Sequence, residues 1–183
     1  MPYSVESTSL NEVLLLKPKV FSDTRGFFFE SFNQREFEKA TGLTHVFVQD
    51  NHSLSQQGVL RGLHFQKEYP QGKLIRVVRG EIFDVAVDIR PESAQYGQWT
   101  SALLSGDNHH QLWIPPGFAH GFLVLSAQAE VIYKTTDYWV AHDEDAIQWN
   151  DLDLGVDWPL HLIQGAPQLS VKDAAARAFK PLI

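Results

Sequence analysis

Between residues 82 and 89 the side chains alternate with a period of two, and this pattern constrains the fold more than any other feature of the chain. One face of the extended segment carries Phe83, Val85, Val87 and Ile89, and the other carries Ile82, Asp84, Ala86 and Asp88. A period of two predicts a β-strand. The chain is therefore expected to form sheets in which successive side chains point to opposite faces.

Further segments of strand length follow one another along the chain, separated by Gly, Pro, Asp and Asn residues that favour turns. They are residues 13–17, 26–32, 46–53, 59–66, 73–79, 99–104, 111–114, 119–125 and 129–136. About ten strands and little helix predict a mainly β fold, a jelly-roll sandwich or barrel with a few short peripheral helices. Such a barrel has an interior pocket lined by alternate residues of its strands.

Two short helices are predicted from their capping residues. Asn33 is a favourable first residue for a helix that continues through Thr41, and Gly42 supplies the usual stop. Ser170 is a favourable cap for a second helix over residues 172–178, where alanines favour helical structure. Both helices are too short to form a layer of their own, so we expect them at the periphery.

Length and composition limit the class of protein. The 183 residues, 44% hydrophobic and 20% charged, predict one globular domain over residues 1–183. The absence of cysteine excludes disulfides, thiolate metal sites and cysteine nucleophiles. A net charge of −7 argues against nonspecific nucleic-acid binding. No apolar run approaches the ~20 residues that span a bilayer, and no basic stretch precedes an apolar one at the start, so we expect a cytoplasmic protein without a membrane partner.

Two histidines and one lysine on predicted strands are candidate catalytic residues. Alternation groups His64 with Leu60, Gly62 and Gln66, Lys73 with Ile75 and Val77, and His120 with Phe122 and Val124. It therefore predicts that all three polar side chains point inward. Because burying charge is costly, convergence in one interior would indicate a functional site. Spacing alone assigns no mechanism, since a single histidine or lysine on a strand is usually a core or surface residue.

A series of motifs extends over residues 14–176. The motifs are residues 23–30, 47–53, 58–66, 71–76, 83–90, 113–115, 117–122, 133–134, 149–151 and 169–173. Each is weak evidence alone, but together and in this order they are highly specific. They resemble those of the dTDP-4-dehydrorhamnose 3,5-epimerase family, whose members are cupin-type jelly rolls.

The resemblance implies an isomerase that inverts C3 and C5 of a dTDP-linked 4-keto-6-deoxy-hexose without metal, nicotinamide or flavin. Both carbons lie next to the C4 ketone, so removal of either proton gives an enolate. By resemblance, His64 is the base and Asp173 the carboxylate that orients it. Lys73 is the cation that faces the enolate oxygen, and Tyr133 is the acid on the opposite side. These residue types suit those roles, because histidine titrates near neutrality and an ammonium group stabilises developing negative charge.

The resemblance also implies which residues bind the substrate. Arg25 and Arg61 match diphosphate-binding arginines, whose guanidinium groups suit bidentate contact with phosphate. Trp139 matches an aromatic residue that stacks on thymine. The other implied contacts are Phe27, Glu30, Gln49, Asn51, Lys73, His120, Glu144 and Lys172. The family further implies a homodimer paired through its N-terminal strands.

Other functions agree less well with these residues, or are not distinguished by them. A metal-dependent cupin is disfavoured, because Gln66 stands where the metal-binding pattern has a second histidine two residues after His64. A non-catalytic sugar-nucleotide-binding module would need neither His64 nor Tyr133. A 3,4-ketoisomerase is disfavoured because such relatives depart from the motifs above. A mono-epimerase acting only at C3 or C5 can keep the same base and acid, so the sequence does not distinguish it.

Overall fold

The computed structural model describes residues 3–179; Met1, Pro2 and residues 180–183 of the predicted domain lie outside this range. The described strands are β1 (Tyr3–Ser7), β2 (Leu14–Pro18), β3 (Phe21–Asp23), β4 (Gly26–Phe28), β5 (Gln49–Gln56), β6 (Leu60–Gln66), β7 (Lys73–Arg79), β8 (Glu81–Asp88), β9 (Trp99–Ser105), β10 (Gln111–Ile114), β11 (Phe118–Val124), β12 (Gln128–Thr135) and β13 (Glu144–Ala146). The helices are α1 (Gln34–Thr41), α2 (Val171–Ala174) and a 3₁₀ turn at Leu160–Leu162. None of the helices within residues 3–179 is long and apolar enough to cross a membrane.

Two antiparallel sheets pack against each other. Strands β1-β2-β10-β7-β12-β5 form one sheet and β13-β6-β11-β8-β9 the other, while β3 and β4 form a separate hairpin. One buried apolar cluster joins the sheets, with Ile75 and Val131 from the first packed among Ile82 and Phe122 from the second. Burying each such side chain contributes about 1.5–3 kcal/mol. This architecture confirms the predicted mainly β, jelly-roll fold.

The outer face of each sheet is also covered. Phe37 of α1 packs with Trp113 on the six-stranded sheet. On the five-stranded sheet, the segment after β13 places Trp158 and Phe179 in one cluster with Val85. Both faces of β8 are therefore buried, which explains why its two rows of side chains are apolar except for the two aspartates and Glu81 at its start. The same C-terminal segment brings α2 against β6.

The first helix agrees with its prediction. The Asn33 side chain accepts a hydrogen bond from the backbone N–H of Glu36 (3.3 Å), and Gly42 ends the helix with a left-handed φ of 74°. The second helix is wrong in extent: it stops at Ala174 instead of continuing to residue 178. The backbone at Arg177 pairs with Ile147, so tertiary pairing overrides the helical preference of the alanines.

Several strand boundaries also differ from the prediction. The expected strand over residues 26–32 ends at Phe28, because it pairs only with the three residues of β3. The expected strand over residues 46–53 is shifted to Gln49–Gln56 by its pairing with β12. The edge strands β1 and β13 were not predicted, because the first is polar and the second has only three residues.

Strand β6 contains a bulge that changes which side chains share a face. His64 lies opposite His120, and Arg61 lies opposite Phe122, so three steps along β6 match two steps along β11. The extra residue offsets the alternation. The prediction that Leu60 shares the face of His64 is therefore wrong: Leu60 packs in the outer cluster, and Arg61 faces the same cavity as His64.

Candidate active site

A cavity between the two sheets collects most of the polar residues named above. His64, Arg61 and His120 reach it from the five-stranded sheet, while Lys73 and Tyr133 reach it from the six-stranded sheet. Lys73 and His120 line it, as the alternation predicts. Its full lining is Gln49, Asn51, Ser53, Arg61, His64, Phe65, Gln66, Gln71, Lys73, His120, Gly121, Phe122, Tyr133, Trp139 and Glu144.

His64 is paired with a buried carboxylate. Its Nε2 lies 2.5 Å from Oδ1 of Asp173, and the Ser170 hydroxyl donates to the other carboxylate oxygen at 2.7 Å. Burial opposes ionisation of Asp173, but the hydrogen bonds from His64 and Ser170 outweigh it and lower the pKa of the carboxyl. A carboxylate that holds one imidazole nitrogen fixes the orientation of the ring, so the other nitrogen of His64 can be directed at a substrate proton.

A second histidine–aspartate pair lies on the neighbouring strands. His120 Nε2 is 3.0 Å from both carboxylate oxygens of Asp84, which is completely buried. Sequence reasoning placed His120 in the site but missed Asp84. The signal was present, because an aspartate in the apolar row of β8 requires a polar partner. The pair fixes the orientation of the His120 ring beside His64, its neighbour across the β6–β11 ladder.

Lys73 is a buried cation that lines the cavity. Its side chain is almost completely enclosed, and Nζ donates to the backbone oxygen of His64 at 3.3 Å. Burial lowers the pKa of Lys73 to about 8, against the attraction of Glu144 and Asp84. The ammonium form therefore predominates at neutral pH, where it can stabilise an anion that develops beside it.

Tyr133 reaches the cavity from β12, opposite the sheet that carries His64. Burial raises the pKa of its phenol, and the negative charge of Glu144 adds to the effect. The phenol is thus protonated at neutral pH and able to donate. The site consequently has a proton acceptor on one wall and a proton donor on the other.

The rim of the cavity carries the remaining polar groups. Arg61 is hydrogen-bonded to Ser55 through Nε (3.1 Å), and Gln49 donates to Asn51 (3.0 Å). Glu144 accepts from the Trp139 indole N–H (3.1 Å) and from Lys172. Although burial opposes ionisation of Glu144, these two bonds lower its pKa. The Trp139 side chain itself is 55% exposed, so its ring is accessible from solvent.

Three of the residues predicted to bind substrate lie away from the cavity of their own chain. Arg25 and Phe27 belong to the β3–β4 hairpin, where Arg25 is ion-paired with Asp23 and Phe27 packs on His109. Glu30 accepts from the side chain of Asn33 (3.2 Å) at the start of α1. None of the three is among the residues that line the cavity, and neither is Lys172, which approaches it only through its hydrogen bond to Glu144. Their predicted contact with substrate stays a prediction.

Metal-ligating groups do not cluster at the site. Within residues 3–179, no three His, Asp or Glu side chains are arranged to hold a metal ion. Gln66, at the position where a metal cupin would have a histidine, uses its side chain for hydrogen bonds to backbone groups. His64 and His120 are each committed to a carboxylate.

Comparison with known proteins gives consistent results. The family model described as dTDP-4-dehydrorhamnose 3,5-epimerase matches residues 7–181. The dTDP-4-dehydrorhamnose 3,5-epimerase of Pseudomonas aeruginosa is 57% identical over 171 residues, which is 93% of each chain. A crystal structure of dTDP-6-deoxy-D-glucose-3,5-epimerase from Legionella pneumophila, in complex with dTDP-4-keto-L-rhamnose, superimposes with a TM-score of 0.92. The two chains are 50% identical, with 96% of this chain and 92% of that chain covered.

A mono-epimerase has the same fold at lower similarity. The 3'-monoepimerase of Streptomyces bikiniensis, in complex with dTDP-quinovose, is 29% identical with a TM-score of 0.86, covering 94% of this chain and 86% of that chain. The fold alone therefore does not separate single from double epimerisation. The match of the family model over nearly the whole sequence, together with relatives above 50% identity, establishes that this chain belongs to the dTDP-4-dehydrorhamnose 3,5-epimerase family.

Proposed function

We propose that this protein converts dTDP-4-keto-6-deoxy-D-glucose to dTDP-4-keto-L-rhamnose by inverting the sugar at C3 and C5. The observation that carries the proposal is the placement of a base and an acid on opposite walls of one cavity, with a buried ammonium group between the sheets. Inversion needs a proton to leave one face of a carbon and another to arrive on the opposite face. A single histidine on one wall would support exchange but not inversion.

The proposed reaction runs in the same way at each carbon. The His64 imidazole removes the proton next to the C4 ketone, and the electron pair moves onto the ketone oxygen to give an enolate. The Lys73 ammonium group stabilises that oxygen. Tyr133 then donates a proton to the opposite face of the carbon while the ketone re-forms. Solvent restores the proton on Tyr133 and removes the one on His64, so that the net change is inversion alone.

The size of the cavity supports binding of a nucleotide sugar with only its sugar enclosed. The cavity volume is about 240 Å³, below the ~300–1,000 Å³ of pockets that bury most of a drug-sized ligand. The diphosphate and nucleoside would extend to the rim, where Arg61 supplies positive charge and Trp139 an accessible aromatic face. Stacking on such a face suits a pyrimidine base.

Proton NMR of the purified protein with dTDP-4-keto-6-deoxy-D-glucose in deuterated water, in the presence of a chelator, tests the proposal. Loss of both the C3 and C5 proton signals is expected, together with a product that a partner reductase converts to dTDP-L-rhamnose. The His64→Ala variant is the control and should exchange neither proton. Exchange at one carbon alone would identify a mono-epimerase, and exchange at neither carbon would refute the epimerase assignment.

We also infer that the protein acts as a homodimer. The β3–β4 hairpin exposes Phe21, Phe27 and Phe28, the last two by 61% and 65%. Exposed aromatic patches of this kind commonly mark interaction sites. Because Arg25, Phe27 and Glu30 lie outside the cavity of their own chain, they can contact substrate only if a second copy brings its hairpin to the rim. Location in the cytoplasm and a single domain over residues 1–183 stay expectations.

Complementation between two inactive variants tests this arrangement. When Arg25→Ala and His64→Ala chains are co-expressed, a mixed dimer contains one cavity with both wild-type residues. Random pairing should restore about one quarter of the wild-type sites, the statistical share for a two-fold dimer. Light scattering gives the mass of each variant. A monomeric wild type, or dimers that show no recovery, would contradict the inference.

A further inference from the structure

Three glutamine side chains hold four consecutive backbone residues at the cavity rim. Residues 137–140 follow β12 and belong to no strand, yet each has a backbone group bonded by a glutamine that lines the cavity. The bonds run from Gln71 Nε2 to Asp137 O (2.8 Å), from Gln66 Nε2 to Tyr138 O (3.1 Å), from Trp139 N to Gln49 Oε1 (3.1 Å) and from Val140 N to Gln66 Oε1 (2.7 Å). The segment is therefore irregular in shape but extensively hydrogen-bonded.

Gln66 is the central member of this set. It is 5% exposed, and its carboxamide both donates to Tyr138 and accepts from Val140, so one side chain bonds the backbone on either side of Trp139. Its amino group also donates to the backbone oxygen of Tyr69 (2.7 Å). Two carbonyl acceptors at one end and an N–H donor at the other fix the orientation of the amide. A carboxylate or imidazole of similar length lacks this combination of donors and acceptors.

A second anchor holds the far end of the same loop. The carboxylate of Asp143 accepts hydrogen bonds from three consecutive backbone N–H groups, those of Lys67, Glu68 and Tyr69, at 2.9–3.2 Å. The residues that follow Gln66 are thereby tied to the end of the loop that carries Trp139. With its backbone held at both ends and its indole N–H bonded to Glu144, Trp139 presents a fixed aromatic surface to solvent.

We propose that Gln66 is a positioning residue that sets the Trp139 ring in place for the nucleobase before the ligand binds. The role of the ring as a nucleobase platform rests on the proposed function, whereas the ordering of the loop does not. Where a metal-binding cupin would have a histidine ligand, this chain has an amide that shapes the nucleotide end of the site. A platform that is already ordered costs less conformational entropy on binding, and this raises affinity.

Binding of two probes separates this role from general damage to the cavity. The Gln66→Met variant keeps the length of the side chain but removes its hydrogen bonds. Calorimetry should show about tenfold weaker binding of dTDP, equivalent to about 1.4 kcal/mol. Binding of inorganic pyrophosphate, which has no base to stack, should be unchanged. The exposed Gln56→Met is the matched control and should alter neither. Equal weakening of both probes would overturn the proposal.

A second test measures whether the effect of Gln66 on dTDP binding depends on the Trp139 ring. In a Trp139→Ala background, Gln66→Met should weaken dTDP binding less than about twofold, because the platform it positions is gone. The same loss in both backgrounds would show that Gln66 acts elsewhere.

Hydrogen exchange gives a readout that does not depend on the ligand. The Val140 amide should exchange faster in Gln66→Met than in wild type, and unchanged exchange there would overturn the positioning role. If wild-type protein bound neither probe, the proposed function would fail and the nucleobase role with it. The exchange result would then still decide whether Gln66 orders the loop.

Discussion

Replacing Lys73 with methionine is expected to abolish activity and yet stabilise the fold. The side chain is 7% exposed, and burial lowers its pKa from 10.5 to about 8. A lowered lysine pKa means that the folded state binds the proton less tightly than the unfolded state does. Burying the charged lysine therefore costs folding free energy, a cost that methionine of similar shape does not incur.

The size of the expected stabilisation follows from the change in the pKa of Lys73. A fall in the lysine pKa from 10.5 to about 8 corresponds to about 3 kcal/mol, from which the lost hydrogen bond to the backbone of His64 subtracts about 1 kcal/mol. We expect the free energy of unfolding of Lys73→Met to exceed that of wild type by about 2 kcal/mol at pH 7. Below pH 8 lysine is protonated in both states and its cost is fully present. As the pH rises from about 8 to 10.5 the folded state loses its proton first, so the advantage of the variant should disappear.

Urea unfolding at one protein concentration, measured from pH 7 to pH 10.5, tests this reasoning. The exposed Lys39→Met at the end of α1 is the control, with an expected difference within about 0.5 kcal/mol at every pH. The exchange assay should show no turnover by Lys73→Met, and wild-type activity should fall above pH 8 as the ammonium form is lost. A variant less stable than wild type at pH 7, or a difference that does not change with pH, would refute the reasoning.

Asp173→Asn should slow proton exchange at C3 and C5 by about 10²-fold or more, because the protonated form of His64 loses its carboxylate partner; NMR in deuterated water measures this, and unchanged exchange would contradict it. Tyr133→Phe should reduce inverted product by about 10²-fold while deuterium uptake continues, and equal loss of both would contradict its role as the acid. Gly62→Ala should lower the unfolding free energy by about 3 kcal/mol or more, against about 1 kcal/mol for Gly165→Ala. Both glycines have positive φ, but only at Gly62 would the new methyl group overlap a backbone oxygen, that of His120. Similar losses for the two glycine variants would contradict the steric argument.

Much of the fold and part of the site could be predicted, because regular strands follow a simple period. Neither β7 nor β11 contains an inserted residue near the cavity, and their ladders with β10 and β8 are regular. Alternation from Ile75 and Phe122 therefore correctly directs Lys73 and His120 inward. Helix α1 was predictable because its capping residues act locally. Alternation predicts which way a side chain points but not what it does chemically. The roles of these side chains were therefore inferred from the resemblance of the motifs.

The parts of the fold and of the site that could not be predicted depend on contacts between distant parts of the chain. The bulge in β6 arises from its pairing with β11 and inverts the expected face of Arg61. Asp173 reaches His64 across 109 residues of sequence, through a C-terminal segment whose path is set by packing on the outer sheet face. The loop at residues 137–140 is shaped by three glutamines from elsewhere in the chain. No local pattern contains this information.

The bulge in β6 sets the distance between two residues of the site. Arg61 and His64 face the same cavity only two steps of the partner strand apart, roughly 7 Å at 3.3–3.4 Å per residue. In an unbroken strand they would lie roughly 10 Å apart and on opposite faces. Under the proposed function, this one inserted residue sets the spacing between a phosphate bound by the Arg61 guanidinium and the carbon that the His64 imidazole deprotonates. The protein should therefore discriminate among substrates partly by the distance between phosphate and sugar ring. A sugar monophosphate bound at Arg61 should place its ring at the wrong distance from the His64 imidazole.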